Sequence, residues 1–199
     1  MTFSCDSSNL PFYSYKDEDP VLLAEKITTI IKPFSSKELV IVCIGTDRCT
    51  GDALGPLVGS MLHKNHLKRF CVHGTLEDPV HAVNMEEQLA AINNRYEKPF
   101  VLAIDASLGK LNNIGRFTFA KGAVQPGAAM KKKLPPVGDF YITGTVNVVG
   151  LMEHIVLQNT RLYQVNAMAE SLAESLLIAD RKLALLHSLT PSTKRSVSS

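Results

Sequence analysis

Residues 39–45 read LVIVCIG, a continuous apolar run that is rich in β-branched side chains and closed by a glycine. A strand that is covered on both faces has this pattern, because both sets of alternating side chains lie in the core. A shorter run at residues 70–74 and a third apolar run at residues 100–104 also predict strands. Together the three runs predict the centre of one buried sheet.

Helical patterns alternate with these strands. Apolar residues recur at spacings of three and four over residues 20–34, and Asp19 followed by Pro20 is typical of a helix start. Further helices are predicted after Asp52, from a capping box of Asn84 and Glu87 to Arg95, over residues 151–158 and over residues 166–187. This alternation predicts an α/β fold, a three-layer α/β/α sandwich with a mostly parallel central sheet.

The later part of the chain departs from this alternation. Residues 116–119 alternate in polarity like an edge strand, and residues 140–146 predict a further strand. The intervening loop is rich in Gly, Pro and Lys, a type of loop that often binds ligands or acts as a lid. We predict a single domain over residues 1–187, of which residues 1–18 are irregular, and a disordered polar tail over residues 188–199.

Composition excludes several classes of protein. The 199 residues carry a net charge of +2, and the basic residues are scattered apart from Lys131–Lys133, so no nucleic-acid partner is expected. No apolar stretch approaches the length of a membrane span, and residues 1–19 lack the pattern of a signal peptide. The four cysteines show no CxxC spacing. We therefore expect a cytoplasmic protein without membrane contact, disulfides or a zinc site.

Polar side chains follow several of the predicted strands. In an open α/β sheet, ligands bind beyond the carboxyl ends of the strands. Asp52 follows the first strand through the loop at residues 45–51, and Asp105 follows the third strand directly. Glu77 leaves the second strand and Asn147 leaves the late one. We expect these side chains to meet at one edge of the sheet, with Asp52 and Asp105 as a catalytic pair.

A pair of aspartates has a specific chemistry. Two carboxylates within hydrogen-bonding distance cannot both ionise cheaply, so one pKa rises and the pair can hold a proton and activate a water molecule. Asp52 stands at a predicted helix start, where the helix dipole favours the ionised form. The sequence therefore favours Asp52 as the base and Asp105 as the proton carrier. The structural alternative for Asp52 is a simple N-cap.

Other candidate groups have less support. Cys49 has no obvious histidine partner that would activate it as a nucleophile, and His81 is the one histidine in a loop that we place near the site. The loop after the first strand lacks the Gly-Lys-Ser/Thr ending of a P-loop and is not a dinucleotide-binding fingerprint.

Residues 44–56, IGTDRCTGDALGP, resemble the family of YyaC-type sporulation proteins from endospore-forming bacteria. The resemblance extends through residues 74–84, 103–109 and 144–147, and thus over most of the chain between residues 38 and 160. This family is in turn similar to the germination protease of spores, an aspartate-dependent peptidase, and more distantly to the hydrogenase maturation proteases.

The resemblance implies an α/β/α sandwich and places the two catalytic aspartates at Asp52 and Asp105. In the maturation proteases, acidic residues at these two positions and a histidine meet a nickel ion. In this sequence, Asn147 stands where that histidine would be. Because an amide oxygen is a poor nickel ligand, the resemblance implies a dyad without a metal and without a cofactor.

The implied function is a sporulation-associated peptidase whose substrate is a protein or peptide, with small acid-soluble spore proteins as candidates. The implied location is the cytoplasm of a sporulating cell or spore. Thr46 and the backbone around Gly45 and Gly51 would donate hydrogen bonds to the developing oxyanion.

Two alternatives stay open at this point. The first is a binding or regulatory sporulation protein on the same fold, without turnover. The second is a divalent-metal site formed by Asp52, Asp105 and Glu77. A homo-oligomer through the predicted edge strand of Phe117 and Phe119 is also compatible with the sequence.

Overall fold

A computed structural model describes residues 12–15, 20–127 and 134–189. The strands within these ranges are β1 (Phe12–Ser14), β2 (Leu39–Cys43), β3 (Phe70–His73), β4 (Phe100–Gly109), β5 (Arg116–Lys121) and β6 (Phe140–Val148). The helices are α1 (Pro20–Ile31), α2 (Leu54–Lys64), α3 (Met85–Arg95), α4 (Glu153–Gln158) and α5 (Leu162–Leu189). Short 3₁₀ turns occupy Lys32–Phe34, Thr50–Ala53 and Leu111–Asn113.

The strands of the described residues form one sheet in the order β1-β5-β6-β4-β2-β3. The four strands β3, β2, β4 and β6 are parallel, whereas β5 runs antiparallel to β6 and β1 runs antiparallel to β5. Helices α1, α2 and α5 cover one face, and α3 covers the other. The predicted α/β/α sandwich with a mostly parallel sheet is confirmed.

The side chains of β2 show why the chain forms three layers. Leu39, Ile41 and Cys43 belong to the core cluster under α1, α2 and α5. Val40 and Val42 belong to the second cluster, under α3. Successive side chains of a strand point to opposite faces, so a strand between two layers needs apolar residues at every position.

Two predictions at the far edge of the sheet are wrong. Residues 12–14, which we expected to be irregular, form β1 and pair with β5. Consequently β5 is not an edge strand, and the side chains of Phe117 and Phe119 are buried. The flank of β5 through which a second copy would pair is occupied by β1 of the same chain.

Helix ends also differ from prediction. Helix α1 ends at Ile31, and α5 extends from Leu162 to Leu189, which includes the first residues of the predicted tail. The capping box at Asn84 does not form, because the Asn84 side chain accepts the His81 N–H at 2.9 Å and donates to the Pro79 oxygen at 2.9 Å. Asn84 therefore holds the loop before α3 instead of the first turn of that helix.

Several predicted features cannot be placed. Asp19, Lys131–Lys133 and residues 190–199 lie outside the described residues. Among the helices that the structure describes, none is long and apolar enough to cross a membrane. Three of the cysteines, Cys43, Cys49 and Cys71, are described, and they are free thiols.

A buried carboxylate holds the amino-terminal end of β3. Asp180 on α5 accepts hydrogen bonds from the backbone N–H groups of Lys68 at 2.8 Å, Arg69 at 2.7 Å and Phe70 at 3.1 Å. These are the two residues before β3 and the first residue of the strand. Asp180 thereby fixes the point at which β3 enters the sheet.

Candidate active site

Strand β4 carries Asp105 past the end of its neighbour. The pairing of β2 with β4 ends at Cys43 opposite Ile104, and β4 continues to Gly109 alongside β6. The prediction that Asp105 directly follows the strand is therefore wrong, since Asp105 lies within β4, opposite Thr143. The strand that ends here is β2, so Asp105 stands at the step between a long strand and a short one.

Asp52 reaches the same step because the chain turns back sharply after β2. Gly45 has a φ of +137°, and a Cβ atom there would overlap the backbone oxygen of Asp52. The Thr46 N–H donates to that oxygen at 3.2 Å, and the Asp52 N–H donates to the Cys49 oxygen at 3.0 Å. Asp52 thus lies in the 3₁₀ turn that leads into α2, and the N-cap of α2 is Ala53.

The two aspartates line one cleft of about 570 Å³. Strand β4 contributes residues 105–108 to its lining, and the loop after β2 contributes Ile44 to Thr46. Residues 124–127 and side chains of α4 complete the walls. A cleft of this size lies within the usual range for small-ligand and peptide sites.

Both carboxyl groups have raised pKa values. Burial raises the pKa of Asp105 to about 8, the charge of Asp52 adds to this effect, and the Ala106 N–H opposes it. The Ala106 N–H donates to Asp105 Oδ1 at 2.9 Å. Burial also raises the pKa of Asp52 to about 6, against the backbone N–H of Thr46 and the imidazole of His81, which lower it. Between these two values, Asp105 is protonated while Asp52 is ionised.

The hydrogen-bond donors predicted for the oxyanion are mostly engaged. The Thr46 N–H donates to the Asp52 oxygen, and the Gly45 N–H donates to the Val80 oxygen at 2.9 Å. Thr46 lines the cleft, and its hydroxyl donates to Asp47 Oδ1 at 3.5 Å and accepts the Arg48 N–H at 3.3 Å. A donor to an oxyanion would therefore have to be a side chain of the cleft, and protonated Asp105 is the first candidate.

Glu77 and Asn147 are not brought to the cleft. Glu77 is exposed and lines a separate pocket of about 290 Å³ beyond the end of β3. The Asn147 amide nitrogen donates to Thr160 Oγ1 at 3.1 Å, and its oxygen accepts the Val148 N–H at 2.8 Å. Asn147 therefore ties the end of β6 to the residues that follow α4.

Cys49 and His81 also line the cleft. Burial raises the pKa of the Cys49 thiol, and the backbone N–H of Asp52 opposes this only in part. A neutral thiol is a weak nucleophile. The Nδ1 atom of His81 accepts the N–H groups of Val83 at 3.3 Å and Asn84 at 3.4 Å, so the neutral ring carries its proton on Nε2.

Sequence reasoning missed several polar residues that line the cleft, including three on β4 and α4. Ser107 on β4 and the pair Glu153 and His154 at the start of α4 line it. Ser107 lies two residues beyond Asp105, so strand alternation would have placed both on one face once β4 was known to continue. No local signal marks Glu153 or His154, because their position depends on how the chain packs after β6.

Residues 12–175 match the protein family described as "Protein of unknown function (DUF1256)". The chain belongs to this family. A curated relative, the "Uncharacterized protein YyaC" of Bacillus subtilis (strain 168), is 49% identical over 171 residues, which cover 84% of this chain and 83% of the relative. The predicted kinship with YyaC-type proteins is confirmed, and the family match runs from β1 into α5.

Two solved structures are similar in fold. The NiFe hydrogenase maturation protease HycI from Thermococcus kodakarensis KOD1 is 23% identical, and the match covers 76% of this chain and 98% of that chain with a TM-score of 0.49. The Hydrogenase 3 Maturation protease is 16% identical, covering 70% of this chain and 89% of that one with a TM-score of 0.45. Both likenesses concern the fold and assign no activity to this chain.

The side chains at the cleft do not fit the metal site that the family resemblance implies. Within the described ranges, no three His, Cys, Asp or Glu side chains are grouped so that they could hold a metal ion. The position implied for a third ligand is Asn147, and its amide is bonded to Thr160 and Val148. Asp52 and Asp105 therefore line the cleft without a suitable third ligand at that position.

Proposed function

We propose that the cleft is the active site of a peptidase in which Asp52 and Asp105 activate a water molecule. The supporting observation is that two carboxyl groups line one cleft with pKa values raised to about 6 and about 8. Between these values one group is a base while the other still carries a proton. This is the condition for acid–base catalysis by a carboxyl pair.

The reaction proceeds in two proton-balanced steps. Ionised Asp52 takes a proton from water as the water oxygen attacks the peptide carbonyl carbon, and Asp105 gives its proton to the carbonyl oxygen. The resulting tetrahedral diol then collapses. Asp52 passes its proton to the leaving nitrogen, the C–N bond breaks, and Asp105 regains a proton from a hydroxyl of the diol. Both side chains return to their starting states.

Asp105 takes the role of the oxyanion donor in this mechanism. The backbone N–H groups of Gly45 and Thr46 are already bonded within the loop. The proton of Asp105 neutralises the carbonyl oxygen as the tetrahedral carbon forms, so less charge has to be stabilised by other donors. Arg48, which is among the residues that line the same cleft, adds positive charge nearby.

The substrate class that suits this chemistry is a protein or peptide. The kinship with YyaC-type proteins motivates a role in sporulation, with small acid-soluble spore proteins as the first substrates to test. It also motivates a location in the cytoplasm of the sporulating cell or spore.

The test compares wild type, Asp52→Asn and Asp105→Asn in extracts of sporulating cells, with fragments identified by mass spectrometry. We expect a defined set of cleavages by the wild type and a loss of about a hundredfold or more in rate for either variant. Glu77→Gln is the matched control, since Glu77 is an exposed carboxylate that does not line the cleft. Identical fragment lists from all these proteins would contradict the peptidase and favour a binding or regulatory role.

A further inference from the structure

One flank of β4 loses its partner strand inside the cleft. The last contact is the Ile44 N–H, which donates to the Ile104 oxygen at 2.7 Å. The chain then turns toward the opposite side, where Ile44 pairs with Val80 and the Gly45 N–H donates to the Val80 oxygen at 2.9 Å. Beyond Ile104, no strand among the described residues pairs with this flank of β4.

The main-chain groups on this flank can be assigned from the alternation of a strand. Because the Ile104 oxygen faces β2, the N–H and C=O groups of Ala106 and Leu108 face the same way. The Gly109 oxygen accepts the Val149 N–H at 2.8 Å, which places the odd-numbered residues on the side of β6.

One of the groups on the open flank is already used. The Ala106 N–H donates to Asp105 Oδ1. The Ala106 oxygen and the Leu108 N–H are left pointing along the cleft, which Ala106 and Leu108 both line. An acceptor and a donor at strand spacing match the backbone of an extended peptide.

We infer that a substrate peptide binds in the cleft as an extended strand added to this flank of β4, in the line from which β2 has withdrawn. The Leu108 N–H donates to a substrate carbonyl, and the Ala106 oxygen accepts a substrate N–H. The flank from Asp105 to Gly109 spans four residue steps and is about 13 Å long at about 3.3 Å per step, which suits a strand of about five residues. This inference rests on the proposed peptidase function and specifies how its substrate is held.

Both the dyad and the walls suit such a strand. Asp105 lies at the start of the flank, so the added strand passes directly beside the carboxyl pair. The cleft is apolar on both faces of the sheet, with Leu157 on the α5 side and Met85, Val124 and Leu134 on the α3 side. Successive side chains of a strand alternate between faces, so a segment of consecutive apolar residues fills both walls. The favoured substrate is therefore an extended, apolar stretch.

Amide hydrogen exchange tests the inference on the full-length Asp52→Asn variant, which leaves the sequence of β4 unchanged and in which turnover is expected to be slower by about a hundredfold or more. The probe is a mixture of hexapeptides randomised at every position, and its control is the same mixture with every backbone nitrogen methylated. We expect the unmodified mixture to slow exchange at the Leu108 amide by about tenfold or more and the methylated mixture to leave it unchanged. The Ser107 amide, on the side of β6, is the internal reference.

The outcomes separate this inference from the peptidase proposal. Shifts of the Thr46 and Ala106 amide signals without slower exchange at Leu108 would mean that peptides bind but not as an added strand, which overturns the inference and leaves the peptidase proposal standing. If the peptide mixture slows exchange at the Leu108 amide but the wild type cleaves no substrate, the added-strand site is supported and the peptidase proposal is contradicted. If the peptide mixture produces neither signal shifts nor slower exchange at Leu108, the inference is overturned.

Discussion

Asp105 and Asp180 are both buried aspartates, but they differ in the number of backbone N–H groups that donate to their carboxyl groups. Asp180 is 2% exposed and accepts three backbone N–H groups at the amino-terminal end of β3. Asp105 is 8% exposed and accepts the N–H of its own neighbour, Ala106. It also faces the charge of Asp52, which raises its pKa. Burial is thus similar in the two cases, whereas the number of backbone N–H groups that donate to the carboxyl differs.

The contrast separates a buried carboxylate that anchors the fold from one to which we assign a proposed chemical role. Three backbone N–H groups donate to Asp180 and thereby connect α5 to the start of β3. A buried carboxyl with few donors and a neighbouring carboxylate costs stability, so its presence needs another reason. Raised pKa values of this kind are concentrated at functional sites. The carboxyl-terminal edge of the sheet therefore carries the candidate site, and the amino-terminal edge carries the anchor.

The largest effect is expected when the anchor is removed. Asp180→Ala leaves three backbone N–H groups without their acceptor and should lower the free energy of unfolding by about 3 kcal/mol. Urea denaturation measures this directly. The control is Glu174→Ala on the exposed face of the same helix, for which a change within about 0.5 kcal/mol is expected. A change of that small size for Asp180→Ala as well would remove the distinction between the two aspartates.

A pH-dependent effect of opposite sign is expected at Asp105. Its pKa in the folded state, about 8, lies above the value of about 3.9 for an unfolded chain. The folded state therefore binds the proton more tightly, and the wild type loses stability as the pH rises from about 4 to about 8. Asp105→Asn removes that loss because the amide stays neutral.

Stability measured at two pH values tests this sign. We compare the free energy of unfolding of Asp105→Asn with that of the wild type at about pH 4 and at about pH 9. The difference should shift in favour of the variant by at least about 1.4 kcal/mol between the two pH values. Glu77→Gln, at an exposed carboxylate, should show little change between the two conditions. A gain at Asp105 that does not grow with pH would show that its carboxyl is already well stabilised in its ionised form.

The joint placement of Asp52 and Asp105 could be predicted from the sequence because the strands that precede them are recognisable as continuous apolar runs. Glu77 was expected at the same place for the same reason, but β3 is the outermost strand and β2 lies between it and β4. The order of parallel strands is set by tertiary packing, which local patterns do not contain. Glu77 consequently lies in its own pocket.

Asn147 illustrates a different limit. Plain alternation would put it on the same face as Thr143, which lines the cleft. The register of β4 and β6 shifts between Ser107 and Leu108, so Asn147 is paired with Leu108 and turns to the opposite face. An inserted residue of this kind exchanges the two faces of a strand and leaves no recognisable mark in the sequence.

Strand β1 was missed because it is short. Its three residues, Phe12–Ser14, form a strand through pairing with β5, and the flanking residues give no periodic pattern. A segment of this length takes its conformation from the strand that it pairs with, so its intrinsic β-strand propensity does not predict it. The same pairing turned the predicted edge strand into an interior one.

The central claim is that Asp52 and Asp105 hold one proton between them near neutral pH, and a carboxyl carbon-13 NMR titration of the aspartates tests it directly. The signal assigned to Asp105 by its absence in Asp105→Asn should titrate with a pKa of about 8. In Asp52→Asn that pKa should fall, because the neighbouring charge is gone, yet stay above the ordinary value because the group is still buried. An Asp105 pKa of about 4, or a raised one that Asp52→Asn leaves unchanged, would contradict the claim.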